Sequence, residues 1–250
     1  MTWLNRLFAF LDLGREAPAD STAQAPSIPA PVPGVYHPAQ VVPVYGVGEV
    51  PPAPANTSIP KEAPVATTDR FARLMEGVLG REGGYSNNPA DKGGETMWGV
   101  TIARARAAGY LGPMRAMSRE QAIEIYRFYY WRQPGFDRID EIDAGLGERL
   151  FDAGINCGTS RAGQWLQRAL NVLNGQGSLY ADITVDGQCG AMTRAALQSF
   201  IQRRGAEGRA VLLEAVKSLQ AGHYLSLAEG SPSQETFVYG WIRSRILGMA

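Results

Sequence analysis

From Ala17 to Thr67 the chain is dominated by proline: 12 of its 16 prolines fall there, in runs such as APSIPAPVPG and VPPAPANTSIP. Each proline fixes φ and removes a backbone donor, so neither a helix nor a strand ladder can be sustained across such a stretch. The expectation is an extended Pro-rich arm over residues 16–67. Any compact fold must therefore be assembled from about Thr68 onward. Ahead of the arm, Trp3, Leu4, Leu7, Phe8 and Leu11 recur at helical spacing, with Thr2 placed to cap the first turn. Residues 1–15 thus read as a short amphipathic helix with no core of its own. It either docks on a partner or packs back on the main body.

The apolar run near the start is LFAFL, bounded by Arg6 and Asp12. It is shorter than the ~7–15 apolar residues of a cleavable leader, so no signal peptide is expected there. No run reaches the roughly 18 apolar residues of a transmembrane helix. Lysine plus arginine and aspartate plus glutamate balance at 24 each, which gives no field for binding nucleic acid. His37 and His223 are the only histidines, and Cys157 and Cys189 match no zinc-ligand spacing. Those counts argue against a zinc amidase or peptidase, and the acid–base chemistry considered below needs no metal or organic cofactor. The cysteines read as buried small apolar residues, with pairing as the alternative in an oxidising compartment.

The compact part opens with TTDRFARLMEGVLGREGG, where Phe71, Leu74, Met75, Val78 and Leu79 mark one helix face. Thr68 or Asp69 is its expected cap, and Gly80 with Gly83–Gly84 its stop signal. Glu82 then falls at the helix C-terminus, where the negative end of the dipole raises a carboxyl pKa. The following YSNNPADKGGETMWGVT carries turn signals at NNP and DKGG and reads as a small hairpin or irregular sheet. Beyond it, helical patterns dominate. Ser118 and Gln121 form a capping box before a helix through Trp131. Further helices are expected at about 141–156, 160–174, 191–203, 207–228 and 234–247. The aromatics of YRFYYW, 126–131, ring much of their helix and so read as core. The fold class is α+β, mostly α-helical, with one small β-hairpin element.

The acids suit one chemistry. Breaking a glycosidic bond takes one group to protonate the leaving oxygen and another to manage the oxocarbenium-like centre. Glu82 and Asp91 flank the hairpin, and Thr96 on its second arm offers a hydroxyl to place a water. Taken singly, each has a plain structural reading as a surface acid, a turn former and a strand residue. Their joint spacing among glycines favours catalysis.

The pattern E-G-G-Y followed by D-x-G-G-x-T-x-x-G-V-T resembles glycoside hydrolase family 108, the N-acetylmuramidases of phage endolysins and related bacterial proteins. The resemblance implies a lysozyme-like plan, with Glu82 as general acid and Asp91 placing or deprotonating the water with Thr96. Tyr85 and Trp98 become candidates for lining a sugar cleft, although Met97–Trp98 replaces the smaller or tyrosine-like residue expected before Gly99. Downstream, ITVDGQCGAMTRAALQSF resembles the D-G-x-x-G-x-x-T element of peptidoglycan-binding modules. FVYGWIRSRI resembles the close of the predicted peptidoglycan domain that follows this catalytic domain. Asp186 shapes a turn before the helix at Ala191, and the resemblance implies a part for its loop in wall binding.

Domain boundaries follow: 1–15 docking helix, 16–67 arm, 68–155 lysozyme-like muramidase domain, 156–250 helical peptidoglycan-binding-like domain. The implied function is cleavage of the β-1,4 bond between MurNAc and GlcNAc in the bacterial cell wall, by an endolysin or a virion-associated enzyme. Peptidoglycan strands are the expected partner, with a virion, tail or envelope protein engaged through residues 1–67. The rivals are a non-catalytic wall-binding component, a lytic transglycosylase, and a cysteine peptidase using Cys157 or Cys189 with His223. Asp91 and Thr96 argue against the transglycosylase.

Overall fold

The computed structural model describes residues 70–79, 84–87 and 94–249. The amphipathic helix, the Pro-rich arm and the caps at Thr68 and Asp69 lie outside these residues. Helix α1, Arg70–Leu79, buries Phe71, Met75 and Leu79 at successive four-residue steps, the face its periodicity selects. Phe71 lies 5.3 Å from Phe151 and 5.7 Å from Trp131, centroid to centroid. This aromatic trio anchors α1 to residues far along the chain. Arg70 adds an ion pair, its Nε 2.9 Å from Asp140 Oδ1.

After a small β element comes α2, Ile102–Ala107, capped by the Thr101 hydroxyl, and then a single 3-10 turn, Met114–Ala116. Helix α3, Arg119–Tyr126, begins in the expected capping box: Gln121 N donates to Ser118 Oγ at 3.2 Å, and Ser118 N to Gln121 Oε1 at 2.9 Å. It runs on as a wider π-helical segment, Arg127–Arg132. Tyr126, Tyr129 and Trp131 are buried, so the aromatic run is core.

A short helix α4, Phe136–Asp140, precedes α5, Ala144–Cys157, whose N-cap Asp143 accepts from Leu146 N at 2.9 Å. The sequence periodicity places no helix over α4, because five residues make little more than one turn. Helix α6, Thr159–Leu173, follows after Gly158 alone, which takes φ 90 and ψ 139. Helix α7 spans Ala191–Gly230 and breaks at Gly205, φ 60 and ψ −147. The two expected helices at 191–203 and 207–228 are its two arms. The chain closes with α8, Pro232–Trp241, and a π-helical segment, Ile242–Ile246. Among the described residues the fold is α+β and mostly helical, with one small antiparallel sheet. One apolar cluster among these residues runs from Phe71 to Tyr224. Among the described residues no helix is long and apolar enough to cross a membrane.

Candidate active site

The β element sets the frame for the expected site. Strand β1, Thr96–Met97, pairs antiparallel with β2, Val100–Thr101, with Thr96 opposite Thr101. On its other side Thr96 is bridged to Ser86, with Ser86 N to Thr96 O at 2.9 Å and Thr96 N to Ser86 O at 2.8 Å. The chain leaving α1 and the chain returning through Gly94 are thus held side by side. Glu82 precedes the first of these arms by four residues and Asp91 precedes the second by five. Both carboxylates lie outside the described residues, as do the turn signals at 88–93.

Between β1 and β2 the chain reverses over Trp98 and Gly99, both at positive φ, 53° and 75°. Two-residue hairpin turns need that backbone, but a bulky residue adopts it only when its surroundings force it. The indole supplies the force: Trp98 Nε1 donates to Met117 O at 2.9 Å, and the ring packs on the core. No turn signal marks Trp98 in the sequence, since tryptophan is not a turn former.

Thr96 is buried, with 4% of its surface exposed. Tyr85 is half-buried; its hydroxyl donates to Glu95 Oε1 at 2.8 Å. The Arg115 guanidinium lies over the Tyr85 ring, 3.8 Å from its centroid, a cation–π contact that occupies one aromatic face. Glu95 and Arg115 are not among the residues the sequence pattern singles out. For Glu95 a signal existed: it directly precedes buried Thr96, and successive strand residues point to opposite faces. Arg115 carries no local signal, because its partner lies 30 residues away.

Asp186 sits in a loop clamped against α6. Its Oδ1 accepts from Gln167 Nε2 at 2.7 Å and from Gln188 N at 2.8 Å. These bonds hold its carboxyl below the usual carboxylate range. Gln167 is the centre of the clamp, 1% exposed, and its Oε1 accepts from Gly187 N at 2.7 Å. Gly187 takes φ +83, and a Cβ on Gly163 would stand 2.2 Å from Gly187 O. Helix and loop therefore touch backbone to backbone. A lone glutamine on an apolar helix face was the signal for this clamp.

Both cysteines are free and buried, and burial pushes each thiol up to about 12. A thiolate nucleophile needs the opposite shift. His223 packs against Trp165, ring centroids 5.8 Å apart, and burial takes its pKa down to about 4. It is a packed helix residue, which removes the support for a cysteine peptidase.

Residues 75–158 match the family model described as Glycosyl hydrolase 108. Residues 161–246 match the one described as Predicted Peptidoglycan domain. Among solved structures, that of Brucella abortus SagA is 28% identical, with 72% of this chain and 94% of that chain covered and a TM-score of 0.49. No curated protein matches the chain.

Proposed function

Because the chain belongs to glycosyl hydrolase family 108 over residues 75–158 and continues into a predicted peptidoglycan domain over 161–246, we propose that it is an N-acetylmuramidase. Its reaction is hydrolysis of the β-1,4 bond between MurNAc and GlcNAc, at the bacterial cell wall. Glu82 protonates the bridging oxygen, while Asp91 and Thr96 place and deprotonate the attacking water. Trp98 and Tyr85 line the sugar cleft, and Asp186 serves wall binding by holding its loop. The observation that carries this reading is the family match across the two arms bridged at Ser86 and Thr96. That bridge holds Ser86, four residues after Glu82, beside Thr96, five residues after Asp91.

The test is product analysis by mass spectrometry on purified peptidoglycan. Wild type is expected to yield hydrated reducing ends, and Glu82→Gln to lose roughly 10²–10⁴-fold in turnover, the usual worth of a positioned general acid. Exclusively 1,6-anhydro ends would instead identify a lytic transglycosylase. Unchanged clearance by Glu82→Gln would refute the assignment of Glu82 as the catalytic acid.

Residues 1–67 are proposed as the segment that attaches the enzyme to a virion or envelope assembly. Their composition supports this: an amphipathic stretch followed by a stiff, proline-rich spacer. Deleting them is expected to spare hydrolysis of purified wall and abolish co-purification with the assembly. Co-purification that survives the deletion refutes the attachment role.

A further inference from the structure

We propose that a groove on the seam between the two family-matched regions binds the charged stem peptide of peptidoglycan, a short chain that alternates carboxylates with a diamino acid. The inference rests on the peptidoglycan reading above, but not on Glu82 or on any catalytic step.

The groove encloses about 660 Å³, within the roughly 300–1,000 Å³ of small-ligand sites. One wall is the end of the π-helical segment with α4, and it presents Arg132, Asp137, Arg138 and Glu141. The opposite wall is the start of α7 and the loop before it, with Gln188 and Arg194. Backbone closes the floor: Cys189 N donates to Pro134 O at 3.0 Å. Gly135, at φ +80, approaches so closely that a Cβ there would lie 2.7 Å from Cys189 O. The catalytic-family region and the peptidoglycan-domain region therefore each supply one wall.

The lining chemistry selects the ligand. Three guanidiniums and two carboxylates line this one space, and no aromatic side chain does. N-acetylated hexoses are uncharged, and the lactyl carboxyl of MurNAc is consumed in the amide that carries the peptide. The charge in peptidoglycan accordingly resides in its peptides. Guanidiniums bind carboxylates through paired hydrogen bonds, while Asp137 and Glu141 offer acceptors for the side-chain ammonium of the diamino acid. Asp137 is satisfied at one oxygen only, its Oδ2 lying near Arg138. Its Oδ1 is buried without a hydrogen bond, and that burial raises its carboxyl above the ordinary range. Arg138 lies 3.7 Å from Asp137 Oδ2 and 2.9 Å from Glu141 Oε1, yet its side chain remains 57% exposed. It is therefore accessible to an incoming carboxylate.

The full chain is titrated with sugar-free L-Ala–γ-D-Glu–meso-diaminopimelate, and with the same peptide amidated at its carboxylates. Binding is read by calorimetry and by backbone amide shifts. The acid form is expected to bind saturably and to shift the amides of Gly190 and Arg194. Amidation and Arg138→Glu should each weaken binding at least tenfold, and the thermal midpoint of the variant serves to verify its fold. Absence of saturable binding, or equal affinity in a folded Arg138→Glu variant, overturns the proposal. Tripeptide binding without glycan cleavage leaves the groove standing and removes the muramidase reading. Cleavage without tripeptide binding does the reverse.

Discussion

At the scale of single residues, His223 shows how burial sets a charge state and thereby a pH response. Half-enclosed beside Trp165, it gains little by charging, and the positive Arg161 adds to the penalty. Its pKa falls to about 4 in the folded protein, against about 6.5 in an unfolded chain. The unfolded state therefore binds the proton first as pH falls. Stability from this source is intact above pH ~6.5, is lost progressively between there and pH ~4, and levels off below. The loss amounts to at most ~3 kcal/mol. In urea titrations, wild type should lose more stability between pH 7 and pH 4 than His223→Phe, which retains a ring against Trp165. Parallel losses in the two proteins would show that His223 does not titrate as its burial demands. The same scale contains Trp98, whose backbone strain is held in place by one indole hydrogen bond to Met117 O.

Elements divide sharply between those legible in the sequence and those that are not. The Ser118 capping box, the apolar face of α1 and the break at Gly205 all rest on interactions within a few residues, so pattern alone exposes them. The proposed site, Glu82, Asp91 and Thr96 among glycines, is a reading of the sequence, and of the three Thr96 lies among the described residues. Its built surroundings were not legible there, because Arg115 on Tyr85 and Met117 on Trp98 come from a turn that no motif announces. The clamp of α6 on its loop has Gln167 as its one sequence signal, while its backbone contact across 24 residues, Gly163 to Gly187, has no local signature. This clamp sets up a contest of magnitudes. Gly163→Ala gains up to ~1 kcal/mol of helix propensity, but it drives a methyl to 2.2 Å from Gly187 O. The loop cannot retreat cheaply, since Gly187 is itself pressed on Ser160, where a Cβ would meet Ser160 O at 2.6 Å. Overpacking of this kind costs about 1–3 kcal/mol, so a net destabilisation is expected in chemical denaturation. A more stable Gly163→Ala would mean that the helix and loop are less tightly joined than their backbones indicate.

Across the whole molecule, the two family-matched regions share too much interior to behave as separate bodies. Only Thr159 and Ser160 separate the matched spans, and α5 and α6 bury Leu150, Phe151, Leu166 and Leu170 in one cluster. The C-terminal segment returns to the first region: Arg245 Nη1 reaches Asp152 Oδ1 at 2.6 Å, and Arg149 Nη1 donates to Arg245 O at 2.7 Å. Arg209 Nη1 meets Asp143 Oδ2 at 3.0 Å. Partly exposed ion pairs contribute only ~0–1 kcal/mol each, so they orient the regions more than they bind them. The shared apolar surface stabilises the joint more strongly, at ~25 cal/mol per Å² removed from water. A chain cut after Cys157 would expose the α5 face that packs on α6 and α7, and it is not expected to fold alone. The intact chain should unfold in one calorimetric transition, with van't Hoff and calorimetric enthalpies in agreement. Two resolved transitions, or a stably folded 68–158 fragment, would show instead that the regions join only at their surfaces. In that case the seam groove would be a gap between independent bodies, with no fixed geometry for a ligand to recognise.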